Sequence, residues 1–320
     1  MKIGVFGVGH LGKVHLRCLQ STEWELVGVH DPDHSAAEAA HDQYHCPVYS
    51  DPAALIQAVD AVDIVSTTVS HHDIAMAALR AGKHIFVEKP LAHDLQHAAD
   101  IVELAASLNL TVQVGHVERY NPAIIALRDR GLTPSFIEGH RLTTFNTRGN
   151  DVSVVYDLMI HDLDLVLSMI SSPVKEVYAN GVCVVNDTPD ICNARIIFEN
   201  KAVANLTASR ISMKNMRKLR VFQQNEYVSI DLLKKESQII SLTAAQEDTD
   251  GMTILTSSGK KLINMEVPAI VENNAIVDEL TDFYRAVTIG VQPPVTGEAG
   301  YRAMLLADRI DQAMATQSEL

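Results

Sequence analysis

The sequence predicts an α/β fold: an N-terminal Rossmann domain with a doubly wound parallel sheet, then a C-terminal α+β domain with a largely antiparallel open sheet. Three observations predict it. A glycine-rich turn, Gly7-Val8-Gly9-His10-Leu11-Gly12, separates a short apolar run from a helical one. Ala-rich helical stretches then alternate with short apolar runs, an order that requires crossover connections and so pairs strands in parallel. Beyond Pro122, short β-rich segments divided by Asn, Asp, Gly and Lys replace that alternation.

Taken in order, residues 2–7 read as a buried strand, 11–20 as a helix and 25–30 as a second strand that stops at Asp31-Pro32. Runs at 62–66, 84–87 and 111–114 supply further strands of the same sheet. Residues 154–170 form an apolar helical stretch. The segments 176–185, 193–198, 202–209, 219–222 and 227–232 read as antiparallel strands, and 301–315 has the apolar spacing of a terminal helix. A chain of 320 residues exceeds what one core accommodates. The expected division is a nucleotide-binding domain over 1–122 and an α+β substrate and oligomerisation domain over 123–300, with helix 301–315 packing back on the first.

Composition narrows the function. With 47% hydrophobic and 21% charged residues the chain is globular. A net charge of −14 argues against nucleic acid and anionic membrane as partners, because phosphate-rich surfaces demand clustered cations. A small anionic substrate needs only one local cluster. Cys18, Cys46, Cys183 and Cys192 form no C-x-x-C pair and are too sparse for a disulfide framework. The N-terminal apolar run is too short for a signal peptide, and no stretch of 18 apolar residues occurs, so a cytoplasmic location is expected. No metal is expected, since adjacent His71 and His72 point apart and His161 with Asp164 lacks a third ligand.

The glycine turn matches G-x-G-x-x-G in the right context. Gly7 permits the tight turn, and Gly9 lets the backbone N–H groups near His10 and Leu11 approach a pyrophosphate. Gly12 lets the helix pack closely, and the helix N-terminus favours negative charge. Asp31, 19 residues after Gly12, ends the second strand, where a carboxylate accepts ribose hydroxyls. Between Arg17 and Arg80 there is no Lys or Arg to pair with a 2′-phosphate, so NAD is preferred to NADP.

Three patches offer chemistry. Phe86-Val87-Glu88-Lys89-Pro90 ends a strand at the carboxyl edge of the sheet, where ligands bind. Asp157-Leu-Met-Ile-His161-Asp162-Leu-Asp164 puts polar groups at spacings of four and three inside an apolar helix, a costly choice unless they pair or line a cleft. Gly115-His-Val-Glu118-Arg119-Tyr120-Asn-Pro122 crowds polar groups at the domain junction, making Glu118, Arg119 and Tyr120 candidate substrate ligands.

Together the glycine motif, Glu88-Lys89-Pro90 and the Asp157…His161 pair resemble the glucose-fructose oxidoreductase, inositol dehydrogenase and MocA family across essentially the whole chain. The resemblance implies that Lys89, Asp157 and His161 are the catalytic group, with Lys89 and His161 bracketing the reacting hydroxyl and the Lys-Pro bond often cis. Hydride transfer needs a base for the hydroxyl proton. His161 fits that role with Asp157 orienting it, while Lys89 hydrogen-bonds the same oxygen. Ser66, Thr67, His71, Glu88 and Lys89 are then expected at the cofactor, although Ser66-Thr67-Thr68-Val69 replaces the prolines of many relatives. The segments 115–123 and 156–164 look like those of bacterial UDP-N-acetylglucosamine 3-dehydrogenases, whose 3-keto product a partner aminotransferase takes up. Arg210, Lys214, Arg217, Lys218 and Arg220 place five cations in eleven residues; they either hold a diphosphate or form an exposed strand face at a subunit contact, and Arg148 is a second phosphate candidate. A homodimer or homotetramer is implied. The alternatives are an inositol or free-sugar dehydrogenase, an NAD-dependent glycosidase and a non-catalytic NAD-binding regulator.

Overall fold

In a computed structural model, which describes residues 1–145, 152–246 and 250–317, the chain divides into two compact units. One comprises Met1–Tyr120 with Asn274–Leu305, the other Asn121–Asn273 with the chain from Leu306.

The first unit begins with β1 (Lys2–Phe6), α1 (His10–Leu19), β2 (Glu25–His30), α2 (His34–Tyr44), α3 (Pro52–Ala58) and β3 (Ala61–Ile64). It continues with α4 (Thr68–Arg80), β4 (His84–Glu88), α5 (Leu95–Leu108) and β5 (Val112–Gly115). Aspartates start three of these helices: Asp33, Asp51 and Asp94 accept backbone N–H groups of the first turn. The strands pair in parallel in the order β2-β1-β3-β4-β5. The order reverses at β1, so the crevice beyond the carboxyl ends of β1 and β3 is where a ligand belongs. Gly7 ends β1 there, and Ser66 follows β3.

The second unit holds a short helix α6 (Pro122–Ile125), β6 (Phe136–Leu142), a π-helical turn (Val155–Met159) running into α7 (Ile160–Met169), and eight further strands. These are β7 (Val174–Val182), β8 (Ile191–Phe198), β9 (Val203–Ser209), β10 (Met216–Gln223), β11 (Glu226–Asp231), β12 (Glu236–Ala244), β13 (Thr253–Thr256) and β14 (Gly259–Glu266). Their order is β13-β14-β12-β11-β10-β6-β9-β8-β7, antiparallel throughout except for the β6–β9 pair. β6 and β8 alternate between buried and solvent-facing side chains along their length, so one face of the sheet is covered. Arg141 of β6 ties α7 to that face by donating to Asp162, Nε to Oδ2 at 3.0 Å and Nη2 to Oδ1 at 2.7 Å, both residues buried.

The fold class is as the sequence predicts, but the end of the chain differs. Helix α8 (Ala275–Ile289) falls within the range assigned to the second domain, yet it belongs to the first unit. Its Leu280 and Phe283 are fully buried there. The Trp24 indole donates to the Leu280 carbonyl at 2.9 Å, and Phe283 packs on Trp24 and Phe86 with ring centroids 5.3 and 5.9 Å away. Trp24 and Leu280, 256 residues apart, leave no mark on local periodicity. Helix α9 (Gly297–Gln317) also does not pack back wholly on the first unit: from Leu306 it groups with the second. There Arg309 donates to the carbonyls of Val174 and Lys175. Among the described residues no helix is long and apolar enough to cross a membrane.

Phe283→Ala removes the ring that joins α8 to Trp24 and Phe86 and is expected to destabilise the first unit by about 3–5 kcal/mol. Urea denaturation followed by fluorescence of Trp24, the chain's one tryptophan, measures it.

Candidate active site

The turn after β1 is shaped by its glycines. Gly7 has φ +96°, and a Cβ there would lie 2.6 Å from the Ser66 Cα. A Cβ on Gly12 would stand 2.1 Å from the Gly7 carbonyl oxygen, so α1 approaches the turn only because that side chain is missing. Gly9 is different: a Cβ there would meet nothing within 4 Å. It caps α1, no side chain occupies the cap, and His10 and Leu11 beside it are exposed. Open space over uncapped helical N–H groups fits a diphosphate. Asp31 completes the arrangement. Its Oδ2 accepts the Val8 N–H at 2.8 Å and its Oδ1 the Asp33 N–H at 2.9 Å, which fixes the carboxylate beside the turn with lone pairs left for ribose hydroxyls.

Past β3, Ser66 is half-buried with its hydroxyl 2.7 Å from that of Ser70, and Thr67 is exposed at the start of α4. His71 does not stand among the exposed groups of this loop. It is buried, with Nδ1 3.0 Å from the Pro90 carbonyl oxygen and Nε2 3.1 Å from that of Ser66. Burial lowers its pKa below the usual imidazole value. It therefore sits between the Ser66 loop and the Lys89-Pro90 loop, and as a neutral ring with one N–H it donates to one of the two carbonyls at a time. Lys89 is half-buried and its bond to Pro90 is cis. Glu88 also turns inward: Oε2 accepts the Lys89 N–H at 3.1 Å, and Oε1 lies 3.2 Å from Nε2 of His15. A Cβ on Gly115 would fall 2.6 Å from that carboxylate, so the glycine makes room for it.

In the second unit the helix from Val155 opens with the π turn, which contains Asp157; His161 is the second residue of α7. Both are half-buried, whereas Asp162 and Asp164 are buried. An imidazole and a carboxylate four positions apart on one continuous helix suit proton transfer with the carboxylate orienting the ring, and π turns gather at functional sites. Ser153 anchors the turn: its carbonyl accepts the Asp157 N–H at 2.9 Å, and its hydroxyl donates to Asp311 of α9 at 2.8 Å. Burial pushes the Asp311 carboxyl up to about 6, opposed by the Ser153 bond and aided by Asp308.

The other expected ligands differ in burial. Tyr120 is buried, with Gln113 Nε2 3.5 Å from its hydroxyl, and Glu118 is buried; Arg119 of the same turn is half-buried. Arg148 lies outside the described residues. Arg210 is buried and donates Nη2 to the Val152 carbonyl at 2.7 Å. The basic run forms no single cluster, because register pairs Lys218 with Asp231 at 3.2 Å and Arg220 with Glu138 at 3.0 Å across neighbouring strands. Sequence reasoning missed His15 and Asp63, although an Asp inside an apolar strand signals a buried partner.

A doubly wound sheet with an open glycine turn and an acid closing the second strand defines a dinucleotide-binding protein. Residues 1–116 match the sequence profile described as oxidoreductase family, NAD-binding Rossmann fold, and residues 129–227 match the GFO/IDH/MocA C-terminal domain. The chain belongs to the Gfo/Idh/MocA oxidoreductase family, and its cofactor is NAD. It is 33% identical over 315 residues to the UDP-N-acetylglucosamine 3-dehydrogenase of Acidithiobacillus ferrooxidans, covering 98% of this chain and 97% of that one. A solved structure of that enzyme superposes with a TM-score of 0.90 over 99% of this chain and 98% of that one. The inositol 2-dehydrogenase/D-chiro-inositol 3-dehydrogenase of Lacticaseibacillus casei is 36% identical over 179 residues, 51% of either chain. Levoglucosan dehydrogenase in complex with NADH, 20% identical with a TM-score of 0.84 over 99% of this chain and 97% of that one, shares the fold.

Asp31→Asn keeps an acceptor for the Val8 N–H but removes the charge that repels a 2′-phosphate. NADP affinity relative to NAD is expected to rise about tenfold by calorimetry. For Asp311 the folded pKa is raised, so its stability contribution is complete below about pH 4 and is lost as pH climbs toward 6. Asp311→Asn should therefore match the native chain near pH 4 and exceed it by up to about 2–3 kcal/mol at pH 7, read from denaturation at both pH values.

Proposed function

We propose that this oxidoreductase transfers hydride from a sugar hydroxyl to NAD, and that the sugar is carried by UDP, with C3 of a UDP-N-acetylglucosamine-type substrate the oxidised carbon. The observation that carries the reading is the near full-length identity to an enzyme of that name, 33% over 315 residues. An inositol or free-sugar substrate is the second reading. It rests on the 36% identity to an inositol dehydrogenase, but that match spans only 51% of this chain.

NAD, when bound, supplies the hydride acceptor; the chain's residues manage the proton and the charge. His161 takes the hydroxyl proton as the general base. Asp157 orients its ring and favours the imidazolium that results. Lys89 donates to the same oxygen and stabilises the negative charge that builds as the carbonyl forms. His71 positions the loops that carry Ser66 and Lys89 by standing between their carbonyls. Arg119, half-buried, and Arg210, whose Nη2 is held by the Val152 carbonyl, are the cations proposed to face the substrate diphosphate. The enzyme works in the cytoplasm as a homodimer or homotetramer, and its keto product is a substrate for an aminotransferase.

The test is NADH formation with UDP-N-acetylglucosamine, UDP-glucose, glucose and myo-inositol, each with a carbonyl trap. NADH is expected with UDP-N-acetylglucosamine; turnover with myo-inositol alone selects the second reading. His161→Ala and Lys89→Met should each lower kcat at least about 100-fold with NAD affinity unchanged.

A further inference from the structure

Four titratable side chains meet in the interior of the first unit beneath Lys89, and the reaction uses none of them. α1 contributes His15, β3 Asp63, β4 Glu88 and α8 Glu279; all are buried, and His15, Asp63 and Glu279 are fully so. β5 adds the neutral Gln113, whose Nε2 donates to the Glu279 backbone carbonyl at 2.7 Å. One ligating atom from each of His15, Glu88 and Glu279 lies within 4.8 Å of the others. With every group ionised this pocket would hold three negative charges against one positive, which a protein interior does not tolerate.

Hydrogen bonds decide where the protons sit. His15 Nδ1 is 3.0 Å from Asp63 Oδ2 and Nε2 is 3.2 Å from Glu88 Oε1. A carboxylate oxygen at each ring nitrogen calls for an N–H at both, hence an imidazolium. Glu88 receives one donor on each oxygen, from His15 and from the Lys89 backbone, as an ionised carboxylate should. Glu279 is the opposite case: neither of its buried oxygens has a hydrogen-bond partner among the described residues.

We propose that this cluster is a positioning device for Lys89, in which protonated His15 locks the Glu88 carboxylate, Glu88 holds the Lys89 backbone N–H, and a proton kept on Glu279 limits the buried charge to one. The inference rests on Lys89 acting at the reacting oxygen. The directions of titration agree with it. Burial opposes charge on His15, but Asp63 and Glu88 outweigh it and hold the imidazole well above its usual range. Burial, then the charge of Glu88, pushes Glu279 far up. Asp63 is raised by burial and pulled back by His15. Because the folded pKa of Glu279 is raised, its contribution to stability is complete in acid and is lost as pH rises through that value. Ionisation of Glu279 would then compete with Glu88 for the His15 proton and release Lys89.

The experiment compares native enzyme, Glu279→Gln, His15→Gln and Lys89→Met by infrared spectroscopy, by metal analysis and by kcat and KM across pH. The native protein should show a carboxylic-acid C=O band that Glu279→Gln lacks, together with an alkaline fall in kcat that Glu279→Gln abolishes while KM for NAD is unchanged. The melting temperature of Glu279→Gln should exceed the native value by a margin that widens with pH. His15→Gln should lower kcat about 10- to 100-fold with little change in KM, the signature of a displaced group. Absence of the band, an unaltered alkaline limb in Glu279→Gln, or one bound metal ion per native chain lost in Glu279→Gln overturns the proposal. Full turnover in Lys89→Met with the band intact overturns the role of Lys89 and leaves the proton on Glu279 standing, so the two failures are distinct.

Discussion

Glu88 ends the inner strand β4 with its carboxylate turned into the interior, and much of the first unit is arranged around that one charge. A carboxylate so placed is affordable only if donors surround it. His15 supplies one from α1 and the Lys89 N–H supplies another. Gly115 leaves the space it fills, and α8 closes over it with Glu279. The residue that meets solvent next in the chain is Lys89, so the strand delivers its lysine from a base anchored on both oxygens of the preceding carboxylate. From the other side His71 fills the space between the Pro90 carbonyl and the Ser66 loop. Two buried histidines thus flank the segment that carries the lysine, and neither needs to touch a substrate.

What could be read from the sequence was what depends on neighbours in the chain. The glycine turn is legible because each glycine answers a local steric demand, and Asp31 because its distance from Gly12 is set by one helix and one strand. Lys89 and His161 stand out as polar groups where an apolar pattern is expected. The Glu88 cluster was not legible, since His15 and Asp63 are 48 residues apart and His15 and Glu88 are 73 apart. Asp63 within a run of apolar residues was the signal that a partner existed, but nothing in the run named it. The same blindness put α8 in the wrong domain: its Leu280 and Phe283 fit any core, and only Trp24 decides which one.

In the second unit charge density alone was ambiguous. Five cations in eleven residues left an anion site and an exposed strand face both open; a β-strand sends successive side chains to opposite faces, and register gives Lys218 and Arg220 carboxylate partners opposite them. The helix bearing Asp157 and His161 shows the reverse. Its apolar spacing announced a helix, while the π turn that carries Asp157 is invisible at that length, because five residues do not separate one helical period from another. The turn is held by Ser153 and, through it, by Asp311 near the end of the chain, a link that again spans elements far apart in sequence.

The most direct test of the central claim, hydride transfer from C3 of a UDP-linked sugar to NAD, is the fate of deuterium. UDP-N-acetylglucosamine carrying deuterium at C3 is incubated with the enzyme and NAD, and the isolated NADH is analysed by mass spectrometry and proton NMR. Direct transfer under the roles given to Lys89 and His161 predicts one deuterium on a single face of the nicotinamide C4 and a slower rate than with unlabelled sugar. NADH formed without deuterium, or label lost to solvent, would contradict oxidation at that carbon.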